Sequence, residues 1–153
     1  IAVARADERF AVTAAGLYLP ATHLVGIDAA EPDYVTVAEK FVGAPYLWGG
    51  KTSLGLDCSG LVQVALNAAG LPCPRDSDLQ EQRLGSRIAF SDLRRGDLIF
   101  WKGHVAIARD GDTLIHANAH HMAVTVEPVT EAVARIKTAG SEVTSVRRLA
   151  DAN

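Results

Sequence analysis

The stretch Leu56-Asp57-Cys58-Ser59-Gly60-Leu61-Val62-Gln63-Val64-Ala65-Leu66-Asn67-Ala68-Ala69-Gly70 decides how the rest of the 153-residue chain is read. From Cys58 the apolar positions recur at Leu61, Val62, Ala65, Leu66 and Ala69, the spacing of a helix with one buried face. Gly70 and Pro72 stop it. Cys58 therefore opens an amphipathic helix, where free N–H groups and the positive end of the macrodipole favour a thiolate. That position predicts a thiol pKa pulled below its ordinary value, as in a nucleophile. A cysteine serving only as a small core residue gains nothing there.

The only other cysteine is Cys73. A helix over 58–69 rises about 1.5 Å per residue and sets the two cysteines at opposite ends of a rod about 18 Å long. A disulfide needs Cα atoms within about 7 Å, so pairing is not expected, and the two cysteines do not share one zinc unless the chain doubles back after Gly70. The composition, 48% hydrophobic and 22% charged, supports one core. A net charge of -3, with no alternating basic and aromatic segment, argues against a nucleic-acid partner. No apolar run approaches the ~20 residues that cross a bilayer, and Ile1-Ala2-Val3-Ala4-Arg5 lacks the features of a signal peptide, so no membrane partner is expected. The sequence starts mid-pattern without Met, which leaves upstream sequence expected. The compartment stays open between cytoplasm and periplasm or secretion, and the oligomeric state is open.

Working outward, residues 1–30 read as short strand-like pieces at Phe10–Thr13, Gly16–Pro20 and His23–Val25. Glu31-Pro32-Asp33 marks a boundary, and Tyr34, Val37, Ala38 and Phe41 form the stripe of a first helix ending at Gly43. Gly43, Pro45, Gly49, Gly50 and Gly55 make a glycine-rich loop up to Cys58. Ser77 with Gln80 fits a capping box for a third helix ending near Gly85. Asp97–Trp101, His104–Arg109, Thr113–Ala117 and Met122–Glu127 read as consecutive strands, followed by a helix over Glu131–Thr138 and a strand over Glu142–Leu149. Helices first and an antiparallel sheet afterwards give an α+β domain.

A thiol nucleophile needs a base, and the base an orienting group. His104 and His116 flank Asp110-Gly111, so strand register decides whether they share a face. If Arg109 pairs with Asp112, Val105 opposes His116 and the imidazoles diverge. If Ala108 pairs with Asp112, His104 stands across from His116, and this even register is the one expected.

These residues carry a resemblance. Pro45-Tyr46-Leu47-Trp48-Gly49-Gly50, Asp57-Cys58-Ser59-Gly60-Leu61-Val62, Arg75-Asp76-Ser77 with Gln80, Arg95-Gly96-Asp97-Leu98-Ile99-Phe100, His104-Val105-Ala106-Ile107 and Ile115-His116-Ala117 resemble, in order, the NlpC class of bacterial cell-wall cysteine peptidases. The resemblance spans about residues 33–128. It implies a papain-like fold, with the nucleophile helix packed on an antiparallel sheet that bears the histidine. It also implies cleavage of peptidoglycan stem peptides between D-γ-glutamate and a diamino acid, without a cofactor or a metal.

Carried over by residue, the resemblance makes Cys58 the nucleophile, His104 the base and His116 its orienter. Tyr46 stands beside the nucleophile as an oxyanion donor. In the subgroup that requires a free stem-peptide N-terminus, the positions of Trp48, Asp57, Ser59, Asp76 and Ser77 line the substrate pocket, where an ammonium needs a counter-charge. For Asp57, Ser59, Asp76 and Ser77 helix capping is an equal reading. Gly16-Leu17-Tyr18-Leu19-Pro20-Ala21 with His23-Leu24 resembles the end of the SH3-like barrel that the subgroup carries ahead of its peptidase domain. This makes residues 1–30 a remnant or linker strands and residues 31–153 the peptidase domain. Thirty residues are too few to close such a barrel.

Three other functions compete. Cys58, His104, His116, His120 and His121 could form a non-enzymatic zinc module, although their spacing matches no standard zinc pattern. A thiol acyltransferase or amidase on another substrate would keep the thioester chemistry. A peptidoglycan-binding pseudo-enzyme leaves Cys58, His104 and His116 without a purpose.

Overall fold

The computed structural model describes residues 1–150 and divides into two compact units, 1–30 and 31 onward. In the first, β1 (Val3–Ala6), β2 (Phe10–Thr13) and β3 (Tyr18–Pro20) form an antiparallel sheet in chain order. Ala11 is the one buried hydrophobic residue there. Ala21–His23 form a 3-10 turn after Pro20, whose fixed φ suits a turn entry, and the strand-like piece expected at His23–Val25 does not form.

The second unit holds α1 (Tyr34–Glu39), the hairpin β4 (Lys51–Thr52) and β5 (Gly55–Leu56), α2 (Cys58–Ala68) and α3 (Ser77–Arg83). Then come β6 (Ser86–Ile88), β7 (Leu98–Trp101), β8 (His104–Ala108), β9 (Thr113–Asn118), β10 (Ala123–Pro128), α4 (Val129–Thr138) and β11 (Val143–Arg148). Six of the strands form one antiparallel sheet in the order β10-β9-β8-β7-β11-β6. This is the α+β, papain-like arrangement expected.

The sheet is covered on both faces because its central strands carry mostly buried apolar residues on each of them. Leu61, Val62, Ala65 and Leu66 of α2 pack with Leu98, Phe100, Val105, Ile107, Ile115, Ala117 and Val124. On the other face Val129 and Ala132 of α4 pack with Ile99, Trp101, Ala106, Leu114 and Val146. Fully burying side chains of this size stabilises by about 1.5–3 kcal/mol each.

Three expectations are corrected. The capping box does not form: Asp76 precedes α3 without a side-chain cap, and Gln80 turns inward, its Nε2 donating to the Ser59 and Pro74 carbonyls. The cysteines do not pair, but Cys73 is not held at the far end of the helix, because the chain doubles back after Gly70. Gln63 reaches the Cys73 carbonyl at 3.0 Å and Gln80 Nε2 lies 3.4 Å from the Cys73 sulfur; both thiols are free. The β8–β9 pairing sets Ala108 against Leu114 and Ile107 against Ile115, because Asp110 accepts from the Asp112 and Thr113 N–H groups and widens the loop. The even parity holds, shifted by two residues, so His104 and His116 share a face as diagonal neighbours.

Candidate active site

Cys58 is the first residue of α2, and Asp57 is its N-cap, accepting from the Gly60 N–H at 2.7 Å. The helix can start here because Gly60 lets it approach the loop: a Cβ at Gly60 would stand 2.2 Å from the Gly50 carbonyl oxygen. Asp57 also accepts from the Gly49 N–H at 2.8 Å, which ties the glycine loop to the helix start. Arg75 closes on it in a fork, Nη1 to Oδ1 at 2.9 Å and Nη2 to Oδ2 at 2.6 Å, and also donates to Ser59 Oγ at 2.9 Å. The Asp57 carboxyl stays below the ordinary range because these bonds outweigh its burial.

Burial dominates at Cys58 and pushes its thiol above the ordinary value, against the expectation from helix position. The Val105, Ser59 and Cys58 N–H groups pull the other way, while the Asp57 charge adds to the rise. The Val105 contact sets the sulfur near the start of β8. Burial likewise lowers His104 to about 3, helped by His116 and Arg135. Both shifts favour the neutral forms, thiol and imidazole. Tyr46 is half-buried, and its phenol is raised by burial and then by the Cys58 and Asp57 charges. It is thus a neutral O–H donor near the sulfur.

His104 Nε2 lies 2.9 Å from His116 Nδ1, and the Trp101 ring walls His104 with centroids 5.6 Å apart. His116 is fully buried, and its Nε2 lies 2.6 Å from Glu127 Oε1. Burial lowers the His116 pKa, with Glu127 opposing. Arg135 of α4 donates to the same Glu127 oxygen at 2.5 Å, and His121 Nδ1 stands 3.6 Å from it. Glu127 is held at about 2: burial acts to raise it, but His116 and Arg135 together prevail. The histidine face of the sheet is thus an unbroken line of polar contacts from β8 through β9 and β10 to α4.

Beside Cys58 opens a cleft of about 360 Å³, lined by Trp48, Gly49, Asp57, Cys58, Ser59, Arg75, Asp76, Ser77 and Gly103. All five residues expected in a pocket lie on it, and Trp48 is 84% exposed. Among the described residues no group of three or more His, Cys, Asp or Glu could hold a metal ion, and no helix is long and apolar enough to cross a membrane. The sequence reading missed the Arg75 fork, Glu127 and Arg135. One signal was available for Glu127: it is an acid two residues from Thr125, the residue paired with His116 on a strand adjoining the core.

Residues 43–142 match the NlpC/P60 family. Dipeptidyl-peptidase 6 of Lysinibacillus sphaericus is 33% identical over 111 residues, which cover 72% of this chain and 41% of that protein. The gamma-D-glutamyl-L-lysine dipeptidyl-peptidase of Bacillus subtilis is 30% identical over 109 residues, 66% of this chain and 36% of that one. The chain therefore spans about two fifths or less of these curated relatives. A crystal structure of an NlpC/P60 family protein from Bacillus cereus superposes with a TM-score of 0.72 at 25% identity, covering 95% of this chain and 52% of the other. With more than half its length matched to that family, the chain belongs to the NlpC/P60 cysteine peptidases.

Proposed function

We propose that the protein hydrolyses the amide bond between γ-D-glutamate and a diamino acid in peptidoglycan stem peptides that carry a free N-terminal L-Ala. The observation that carries the reading is Cys58 at a helix start, with the Val105 N–H and Tyr46 beside it, the His104–His116 pair on the strands behind and an acid-bearing cleft alongside. The relative from Bacillus subtilis, named for γ-D-glutamyl-L-lysine, supports the bond.

In this reading His104 Nδ1, the ring nitrogen not engaged by His116, takes the Cys58 proton as the sulfur attacks the γ-carbonyl carbon. The oxyanion is met by the Cys58 N–H and the Tyr46 hydroxyl. Collapse breaks the C–N bond, His104 protonates the departing amine, and a thioester remains on Cys58. Water, deprotonated by His104, then attacks the thioester and frees the carboxylate, and the thiol regains its proton. His116 acts as the orienter of His104.

Trp48, Ser59 and Ser77 line the bound L-Ala. Asp57 also lines the cleft, but its oxygens are engaged by Arg75, Gly49 and Gly60. The counter-charge for the ammonium therefore falls to the exposed Asp76. Residues 1–30 are read as part of an SH3-like barrel ahead of the peptidase domain. Incubation with L-Ala-γ-D-Glu-diaminopimelate should release L-Ala-γ-D-Glu, followed by product mass. Cleavage of the N-acetylated peptide at an equal rate would remove the requirement for a free N-terminus.

A further inference from the structure

We infer that Glu127, held by Arg135, is a positioning residue that fixes the proton arrangement of both site histidines, so that the base meets Cys58 with a free lone pair. The inference rests on the reading of Cys58 and His104 as nucleophile and base.

An ionised carboxylate only accepts hydrogen bonds, so the 2.6 Å contact requires His116 Nε2 to carry the proton. A neutral His116 then has its lone pair on Nδ1. The 2.9 Å contact to His104 closes only if His104 Nε2 is the N–H. His104 Nδ1 is left unprotonated, which is the state a base needs before it takes the thiol proton. The reverse arrangement would turn an N–H toward the sulfur, and His104 could accept nothing.

Arg135 gives the carboxylate its own partner at 2.5 Å and keeps it ionised beneath α4. Charged and titratable groups facing Glu127 come from each neighbour: His116 on β9, His121 on the β9–β10 turn and Arg135 on α4, with His104 one bond further on β8. When His104 takes the proton, positive charge arises two hydrogen bonds from this anion, without rearrangement of solvent. The device needs residues from three strands and a helix.

The test uses Glu127→Gln and Arg135→Met in the full chain. A glutamine amide can accept from or donate to His116, so it no longer dictates the tautomer. Imidazole 15N spectra without substrate should show both histidines as Nε2–H tautomers in the parent protein and a mixture in Glu127→Gln. With stem peptide, kcat should fall about 10- to 100-fold while KM stays within about twofold, with a smaller loss of the same kind in Arg135→Met. Parent tautomers and parent kcat in a folded Glu127→Gln overturn the inference, as does an Nδ1–H tautomer for His104 in the parent protein. If Glu127→Gln does not fold, the parent tautomers and Arg135→Met still decide it. If the parent protein leaves stem peptides uncut, the substrate reading falls; the tautomers and the alkylation rate of Cys58 then still decide the role of Glu127.

Discussion

The two faces of the six-stranded sheet build their halves of the site in different ways. On the α2 face the start of the Cys58 helix is held mainly by short-range devices: an N-cap, a glycine that allows close approach, and an arginine fork only 18 residues away. On the α4 face the histidine line is assembled from side chains that only strand register brings together. The nucleophile half depends on shape and the base half on proton order. Disturbing the first should therefore cost stability, and disturbing the second should cost turnover as well.

The largest expected effect falls where the halves meet. Cys58→Ala should abolish peptide cleavage, a loss of about 10⁴-fold or more in kcat, while the melting temperature stays near that of the parent. Next comes Arg75→Met, which strands the Asp57 carboxylate at the start of α2. With the Arg75 side chain 30% exposed, the loss should be about 2–3 kcal/mol in denaturant titration. If stability does not change, the nucleophile half does not rest on that fork. Gly60→Ala should cost about 2 kcal/mol, since the added methyl must displace the Gly50 backbone.

Two pH experiments probe the base half. Because burial raises the Cys58 thiol and lowers His104, alkylation of Cys58 by iodoacetamide should climb through the alkaline range, above the ordinary thiol value of 9.0. A plateau already reached near neutral pH would instead signal a resting thiolate–imidazolium pair. The second experiment reads acid stability. Glu127 titrates near 2 in the folded protein, below the ordinary 4.5, so its charge stabilises the fold above about pH 4.5 and that contribution is lost as pH falls toward 2. Glu127→Gln should flatten this part of the stability curve, measured by thermal melts from pH 5 to 2.

This contrast also explains what the sequence made legible. The Cys58 helix, the glycine loop and the strands from Leu98 to Glu127 could be read because local periodicity and capping determine them. The parity that brings His104 and His116 to one face was also readable, but not the two-residue shift caused by the Asp110 turn. Glu127 and Arg135 stayed hidden because their meaning depends on which strand lies beside β9 and which helix covers it. Gln80 misled for a related reason: its spacing from Ser77 suits a cap, while tertiary packing draws it toward the Ser59 carbonyl. The pKa of Cys58 could not be judged from helix position alone, because burial is set by the sheet behind it.

The central claim is that peptide cleavage passes through a thioester on Cys58. Acid-quenching the protein during turnover of L-Ala-γ-D-Glu-diaminopimelate and measuring intact mass tests it most directly. The account predicts an L-Ala-γ-D-Glu acyl adduct, carried by the fragment containing Cys58. Product release at an undiminished rate from protein whose Cys58 has been alkylated would contradict it.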